Sequence, residues 1–200
     1  MKGIIMLIKG NELYCLLNLS RKNFKFCTQC GGPVSKKIPQ DDNRERYVCD
    51  DCGFIHYHNP NAVVGTLPYC GDKVLLCKRG IEPRKGLWTL PAGFLELGET
   101  LQEGALRETK EETNSTVKID DIYFMFDIPQ IGQFYVLYKA SIEENSYSPT
   151  TESLEVELFS YDEIPWDELA FPFVPIALEQ FYEDLNEGYF PLRIRELIKK

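Results

Sequence analysis

The chain has 200 residues, 44% of them hydrophobic and 26% charged, a composition that fits an ordinary globular protein with a sizeable core and excludes disordered and fibrous classes. Its 22 basic and 31 acidic side chains leave a formal charge of −9, which argues against nucleic acid or an anionic membrane as its partner. Seven cysteines, an odd number in a chain too long to need disulfide staples, point to a reducing, cytoplasmic compartment.

Residues 1–20 form a weakly patterned extension. Their apolar run at 4–8 is cut by Lys9, so neither a membrane span nor a signal peptide is expected, and 13–19 is the one strand candidate. Residues 21–58 hold four cysteines, both histidines, Gly31, Gly32, Pro33 and Gly53, with few aliphatics. A segment so small cannot build its own apolar core and needs a staple. From residue 59 to 200 the pattern is that of a globular domain. Strands are expected at 62–67 and 73–78, joined by a hairpin turn at Cys70-Gly71-Asp72. A loop rich in Gly and Pro follows over 80–98, then a helix at about 100–113. Stretches 117–128 and 134–142 are β-branched and aromatic, as strands are, and 176–185 has helical spacing. The segment 143–170 carries nine acids and no Lys or Arg, numerically the whole net charge.

Cys27-Thr28-Gln29-Cys30 and Cys49-Asp50-Asp51-Cys52 are two CxxC pairs separated by 18 residues, the spacing of a zinc ribbon. Gly31 and Gly53 follow the pairs and let the chain turn so that all four sulfurs face one ion. Four thiolates suit Zn²⁺ and close its tetrahedral shell, so the metal is expected to be structural. His56 and His58 are read as structural, because the cysteines already complete the shell. A disulfide framework and free buried cysteines are the competing readings. Local charge on the segment is seven basic against five acidic, too balanced for a nucleic-acid surface.

The most informative stretch runs from Gly93 to Glu112. Thr100-Leu101-Gln102-Glu103 is a capping box that starts the helix. At about 100° per residue, Gln102, Ala105, Leu106, Thr109 and Thr113 share a packing face. Glu108, Glu111 and Glu112 cluster on its flank. Three carboxylates so placed repel one another unless a cation sits among them. Beside the open loop Pro91-Ala92-Gly93 they form a candidate Mg²⁺ or Mn²⁺ site for phosphate chemistry.

Gly93, five residues, Glu99, seven residues, then Arg107-Glu108-Thr109-Lys110-Glu111-Glu112 resembles the Nudix box, which extends to Ser115. Asn114 stands where the family usually has Gly, and Thr109 and Ser115 stand where it has aliphatics; no metal position is lost. The likeness covers about four fifths of the chain, through His56-Tyr57-His58-Asn59-Pro60, Val74-Leu75-Leu76-Cys77-Lys78-Arg79 and Gly86-Leu87-Trp88-Thr89-Leu90-Pro91-Ala92-Gly93. It points to the zinc-ribbon Nudix proteins, in the branch of FAD and ADP-ribose pyrophosphatases.

That resemblance implies an α/β fold, an α/β/α Nudix sandwich with a mixed sheet behind a small zinc ribbon. It implies hydrolysis of a nucleoside diphosphate linked to another group, with FAD or ADP-ribose as the expected small-molecule substrate. By position, Glu108, Glu111, Glu112 and the Gly93 carbonyl bind the catalytic Mg²⁺ or Mn²⁺, with Arg107 and Glu99 in support. Relatives are often homodimers. For the general base, Glu108 and Glu111 are candidates within the box, and Glu152 and Glu155 outside it. Arg79 is a candidate for a phosphate. Trp88, Phe126 and Tyr135 are candidates for stacking on a base or flavin. Pro129 lies near a proline position of ADP-ribose-cleaving members. An NADH pyrophosphatase is the first alternative, but Asp127-Ile128-Pro129-Gln130-Ile131-Gly132-Gln133 lacks that group's Trp-Pro-rich segment. A non-catalytic nucleotide sensor or nucleic-acid-binding ribbon protein is the second.

Overall fold

The computed structural model describes residues 6–7 and 24–198. The strand candidate at 13–19 and Cys15 lie outside the described residues. The ribbon is a three-stranded antiparallel sheet of β2 (Val34–Lys37), β3 (Arg46–Cys49) and β4 (Ile55–His56), in that order.

The main sheet is built on β5 (Asn61–Cys70) and β6 (Lys73–Arg79), a hairpin closed by the pairs Tyr69↔Val74 and Cys70↔Lys73. Its other long strands are β9 (Lys118–Ile128), β10 (Gln133–Ser141) and β11 (Ser153–Phe159). The strands β1 (Met6–Leu7) and β12 (Arg193–Ile198) complete the path β1-β12-β9-β10-β5-β6-β11. The sheet is mixed: β10 runs parallel to β5 and β12 parallel to β9, while β9–β10, β5–β6 and β6–β11 are antiparallel. The glycine- and proline-rich stretch expected as loop holds two short strands, β7 (Trp88–Thr89) on β6 and β8 (Ala92–Phe94) on β5. Gly65 makes this possible, because a β-carbon there would fall on Pro91 and Ala92.

Side chains alternate between the two faces of each strand. Val64, Val136 and Tyr138 pack with Ala105 of helix α1 (Leu101–Thr113). Leu67, Val74, Leu76 and Leu137 pack with Phe173, Val174, Ala177, Leu178 and Phe181 of helix α2 (Phe173–Glu187). The sheet is thus sandwiched between two helices, in an α/β/α arrangement. Buried Asp184 of α2 fastens the C-terminal part, accepting from the Tyr123 hydroxyl at 2.6 Å and from the two terminal nitrogens of Arg193 at 2.6 and 2.5 Å. Among the described residues no helix is long and apolar enough to cross a membrane.

Helix α1 starts as the sequence predicts. The Thr100 hydroxyl accepts from the Glu103 amide at 3.2 Å, and the Glu103 carboxylate accepts from the Thr100 amide at 2.8 Å. It ends at Asn114, which is left-handed at φ 53° and donates its N–H to Lys110 O. The packing face is rotated from the expected one. Gln102 is exposed and Leu106 half-buried, while Gly104 and Glu112 join Ala105, Thr109 and Thr113 inside. Gly104 is the reason: a β-carbon there would come within 2.9 Å of Leu95 and Val64, so its absence lets the helix lie down on β5 and β8.

Candidate active site

Arg107 organises the start of the site. Its Nε donates to Glu99 at 2.6 Å, one terminal nitrogen to Glu108 at 2.7 Å and Glu111 at 2.9 Å, and the other to Glu99 and the Phe94 carbonyl at 3.0 Å. One guanidinium therefore ties helix α1 to strand β8 and to the loop that joins them. Its own proton is held more tightly than usual, with Glu99 the largest cause. The Glu108 carboxylate packs against Gly93, where any β-carbon would overlap it. Burial raises the Glu108 pKa, and the adjacent Arg107 only partly offsets this.

Glu112 sits deeper, 6% exposed, and burial pushes its pKa up to about 7. The Ala92 amide donates to its Oε2 at 2.9 Å, and the Cys77 thiol approaches the same oxygen at 3.8 Å. The charge of Arg79 lowers the Glu112 pKa, and those of Glu108 and Glu152 raise it. Arg79 itself donates Nε to Pro83 O at 2.7 Å and lies 5.1 Å from the centre of the Phe171 ring.

The geometry therefore gathers Gly93, Glu99, Arg107, Glu108, Glu111 and Glu112, with Arg79 and Glu152 within electrostatic reach. It does not gather every candidate. Glu155 is taken up in an ion pair with Lys78 at 2.8 Å. Phe126 is fully buried, stacked on Phe124 at 4.8 Å, so no ligand ring reaches it. Trp88 is 5% exposed, covered by Phe159 edge-on at 5.0 Å and by the Lys78 ammonium. Both belong to the core rather than to a binding wall. Tyr135 is half-buried against Phe173 at 4.8 Å, with Arg79 close enough to affect its hydroxyl. Pro129 is exposed and opens a 3₁₀ turn, Pro129–Ile131, between β9 and β10.

Three participants escape sequence reasoning. Cys77 and Phe171 meet the site only through tertiary contacts, and neither residue type signals it. Thr66 bonds Thr109 hydroxyl to hydroxyl at 2.7 Å inside the core. The departures from the box pattern join that contact: Thr109 also donates to Ala105 O, and Thr113 bonds both Thr109 O and the Ser115 hydroxyl at 2.6 Å. Buried hydroxyls replace aliphatic packing here because each finds a partner.

In the ribbon, Cys27, Cys30, Cys49 and Cys52 bring their sulfurs within 4.8 Å of one another. The closest pairs, Cys30–Cys49 at 3.5 Å and Cys27–Cys52 at 3.8 Å, are far from the ~2.05 Å of a disulfide. The Cys52 amide, 3.4 Å from the Cys49 sulfur, draws the Cys49 pKa down to about 7, while the crowding of neighbouring sulfurs raises those of Cys30 and Cys52. His56 stacks on Phe24 at 4.8 Å, apart from the sulfur cluster.

Comparison with known proteins bears on this geometry. The profile described as Nudix N-terminal matches residues 25–58, and that of the NUDIX domain matches residues 59–183. The chain belongs to the Nudix hydrolase family. The ADP-ribose pyrophosphatase of Methanocaldococcus jannaschii is 29% identical over 145 residues, 70% of this Nudix chain and 80% of that protein. The NAD-capped RNA hydrolase NudC of Vibrio atlanticus is 34% identical over 96 residues, 48% of this chain but only 34% of that longer protein. A crystal structure of a NUDIX hydrolase from Nitrosomonas europaea superposes with a TM-score of 0.84 at 45% identity, covering 88% of this chain and 100% of that one. The Nudix domain implies divalent-metal catalysis, and the residues fit it. Glu108, Glu111 and Glu112 are hard oxygen donors, and the lack of a side chain at Gly93 makes room for the Glu108 carboxylate.

Proposed function

We propose that this Nudix hydrolase cleaves the diphosphate of FAD or ADP-ribose, using Mg²⁺ or Mn²⁺ held by Glu108, Glu111, Glu112 and the Gly93 carbonyl. Zn²⁺ on the four cysteines is the structural ion. The observation that carries the reading is the lock between Gly93, Glu108 and Arg107, which fixes a glycine loop against a carboxylate helix. When bound there, a divalent cation neutralises the diphosphate and makes a water nucleophilic at neutral pH.

The chain's own groups do the rest. Arg107 and Glu99 hold the helix and loop at fixed separation. Glu152, an exposed carboxylate whose charge is felt at both Glu108 and Glu112, is the candidate outside the helix for taking the proton of the attacking water. Arg79, anchored on Pro83 O and the Phe171 face, supports a phosphate, and Tyr135 offers ring surface beside it.

ADP-ribose is favoured by the likeness to the Methanocaldococcus ADP-ribose pyrophosphatase over 70% of this chain, and FAD by the resemblance of the sequence motifs. The NudC relatives support a second reading, an NAD(H) diphosphate, which the missing Trp-Pro-rich segment ranks lower. Side-by-side kcat/KM for ADP-ribose, FAD, NADH, NAD-capped RNA and a triphosphate panel tests this. One apolar contact discriminates by only ~1–3 kcal/mol, so overlapping activities are expected. A clear preference for NADH, capped RNA or a triphosphate overturns the substrate assignment.

A further inference from the structure

The ribbon has a cavity of about 230 Å³, lined by Lys36, Glu45, Arg46, Tyr47, His56 and His58. Three of these form a row across the small sheet, since Lys36 is the register partner of Tyr47 and Tyr47 that of His56. Residues directly opposite one another on a ladder share a face, so the three side chains stand together. The Lys36 ammonium lies 5.2 Å from the centre of the Tyr47 ring. Phe24 stacks on His56 and meets Tyr47 edge-on at 5.5 Å, fixing both rings.

His56 is only 6% exposed. Among the described residues its Nε2 is the one buried side-chain nitrogen or oxygen with no hydrogen-bond partner. Buried polar atoms are nearly always paired, so an orphan beside a cavity calls for a ligand. The lining supplies two cations and a second imidazole against one carboxylate, although Arg46 is shared with Asp42 at 2.9 Å. This set suits an anion with several acceptor oxygens. The cavity is smaller than the ~300–1,000 Å³ of pockets that enclose a whole organic ligand, so only a head group fits.

We propose that the ribbon binds a phosphate monoester in this cavity, with Lys36 and Arg46 supplying charge and the His56 ring, closed off in the free protein between Phe24 and Phe54, shifting so that Nε2–H donates to a phosphate oxygen. The phosphate comes either from a free mononucleotide or from the 5′ end of an oligonucleotide. The site is separate from the carboxylates of α1 and does not depend on which diphosphate the enzyme cleaves.

The test is NMR of the zinc-loaded full chain with ¹⁵N-labelled histidine, at fixed pH. Inorganic phosphate, AMP and a 5′-phosphorylated oligoribonucleotide are each titrated in. The expected result is a saturable shift of the His56 Nε2 resonance. Lys36→Glu, at an exposed position, should weaken this binding about tenfold or more, the loss of one charge-assisted contact, while hydrolysis of the nucleotide substrate is unchanged. His56→Phe keeps the ring on Phe24 and removes the donor, so phosphate protection of the ribbon against proteolysis should vanish. Tighter binding of AMP assigns the site to a mononucleotide, and tighter binding of the oligonucleotide assigns it to an RNA end. No saturable shift with any of the three, or unchanged affinity in Lys36→Glu, overturns the proposal.

Discussion

A β-carbon built on Gly93 falls directly on the carboxylate of Glu108. The two residues are partners in one packing arrangement: the strand must lack a side chain for the helix to present an acid there. Gly93→Ala should therefore displace Glu108 rather than unfold the protein, because the colliding atoms end a flexible side chain. Turnover should fall by ~10²-fold or more, the usual effect of misplacing a reacting group by about an ångström. Steady-state kinetics and thermal unfolding, measured together, check this; normal turnover in Gly93→Ala contradicts it.

Glu112 should make the stability of the protein depend on pH when no divalent cation is supplied. Its folded pKa of about 7 lies above the ordinary 4.5. The folded state then holds the proton more tightly than the unfolded chain. That contribution is complete below pH 4.5 and lost as pH rises through 7, to a total of about 3 kcal/mol. Thermal melts in magnesium-free buffer, with zinc left in place, should show the midpoint falling over this window. Glu112→Gln should flatten the dependence, since its amide oxygen still accepts from Ala92. The same change should lower turnover by ~10³-fold, because a neutral amide is a poor ligand for a hard cation.

The Thr66–Thr109 pair offers a test of buried hydroxyl bonding. Thr109→Val leaves the Thr66 hydroxyl without this partner in a fully buried position and should cost about 1–3 kcal/mol. The double change of both threonines to valine should recover much of that loss. Denaturant unfolding of the four proteins gives the coupling directly. Additive losses would show that the pair contributes no coupling.

Cys27→Ser or Cys52→Ser should release the ribbon metal and expose residues 24–58 to proteolysis, because metal binding there contributes folding free energy. Metal analysis of the parent should find about one zinc per chain. A parent free of zinc, with the ribbon equally resistant to protease, would remove the structural assignment.

What could be read from the sequence was local. The capping box at Thr100, the turn at Cys70-Gly71-Asp72 and the CxxC spacing depend on near neighbours, and the structure shows each of them. Contacts across the sheet were not legible. The parallel pairing of β5 with β10 brings Val64 beside Val136, and only that juxtaposition makes a floor for Ala105. The same long-range packing buries Phe126 and Trp88, which look like ligand platforms in sequence, and rotates α1 so that Gly104 rather than Gln102 faces inward. Glu155 and Glu152 are equivalent as sequence; the position of Lys78 on the neighbouring strand separates them.

Strand β6 carries a further consequence. Val74 and Leu76 belong to the layer under α2, while Leu75 and Cys77 belong to the layer beside α1, and all four are at most 1% exposed. Four successive positions therefore have no neutral side on which mutations can accumulate. Saturation mutagenesis should show an unbroken block of intolerance there, in contrast to β11, where exposed Leu154 and Glu157 are free to vary. A lineage of such chains would have to drift through β6 by paired changes, one on the strand and one in whichever helix layer it touches.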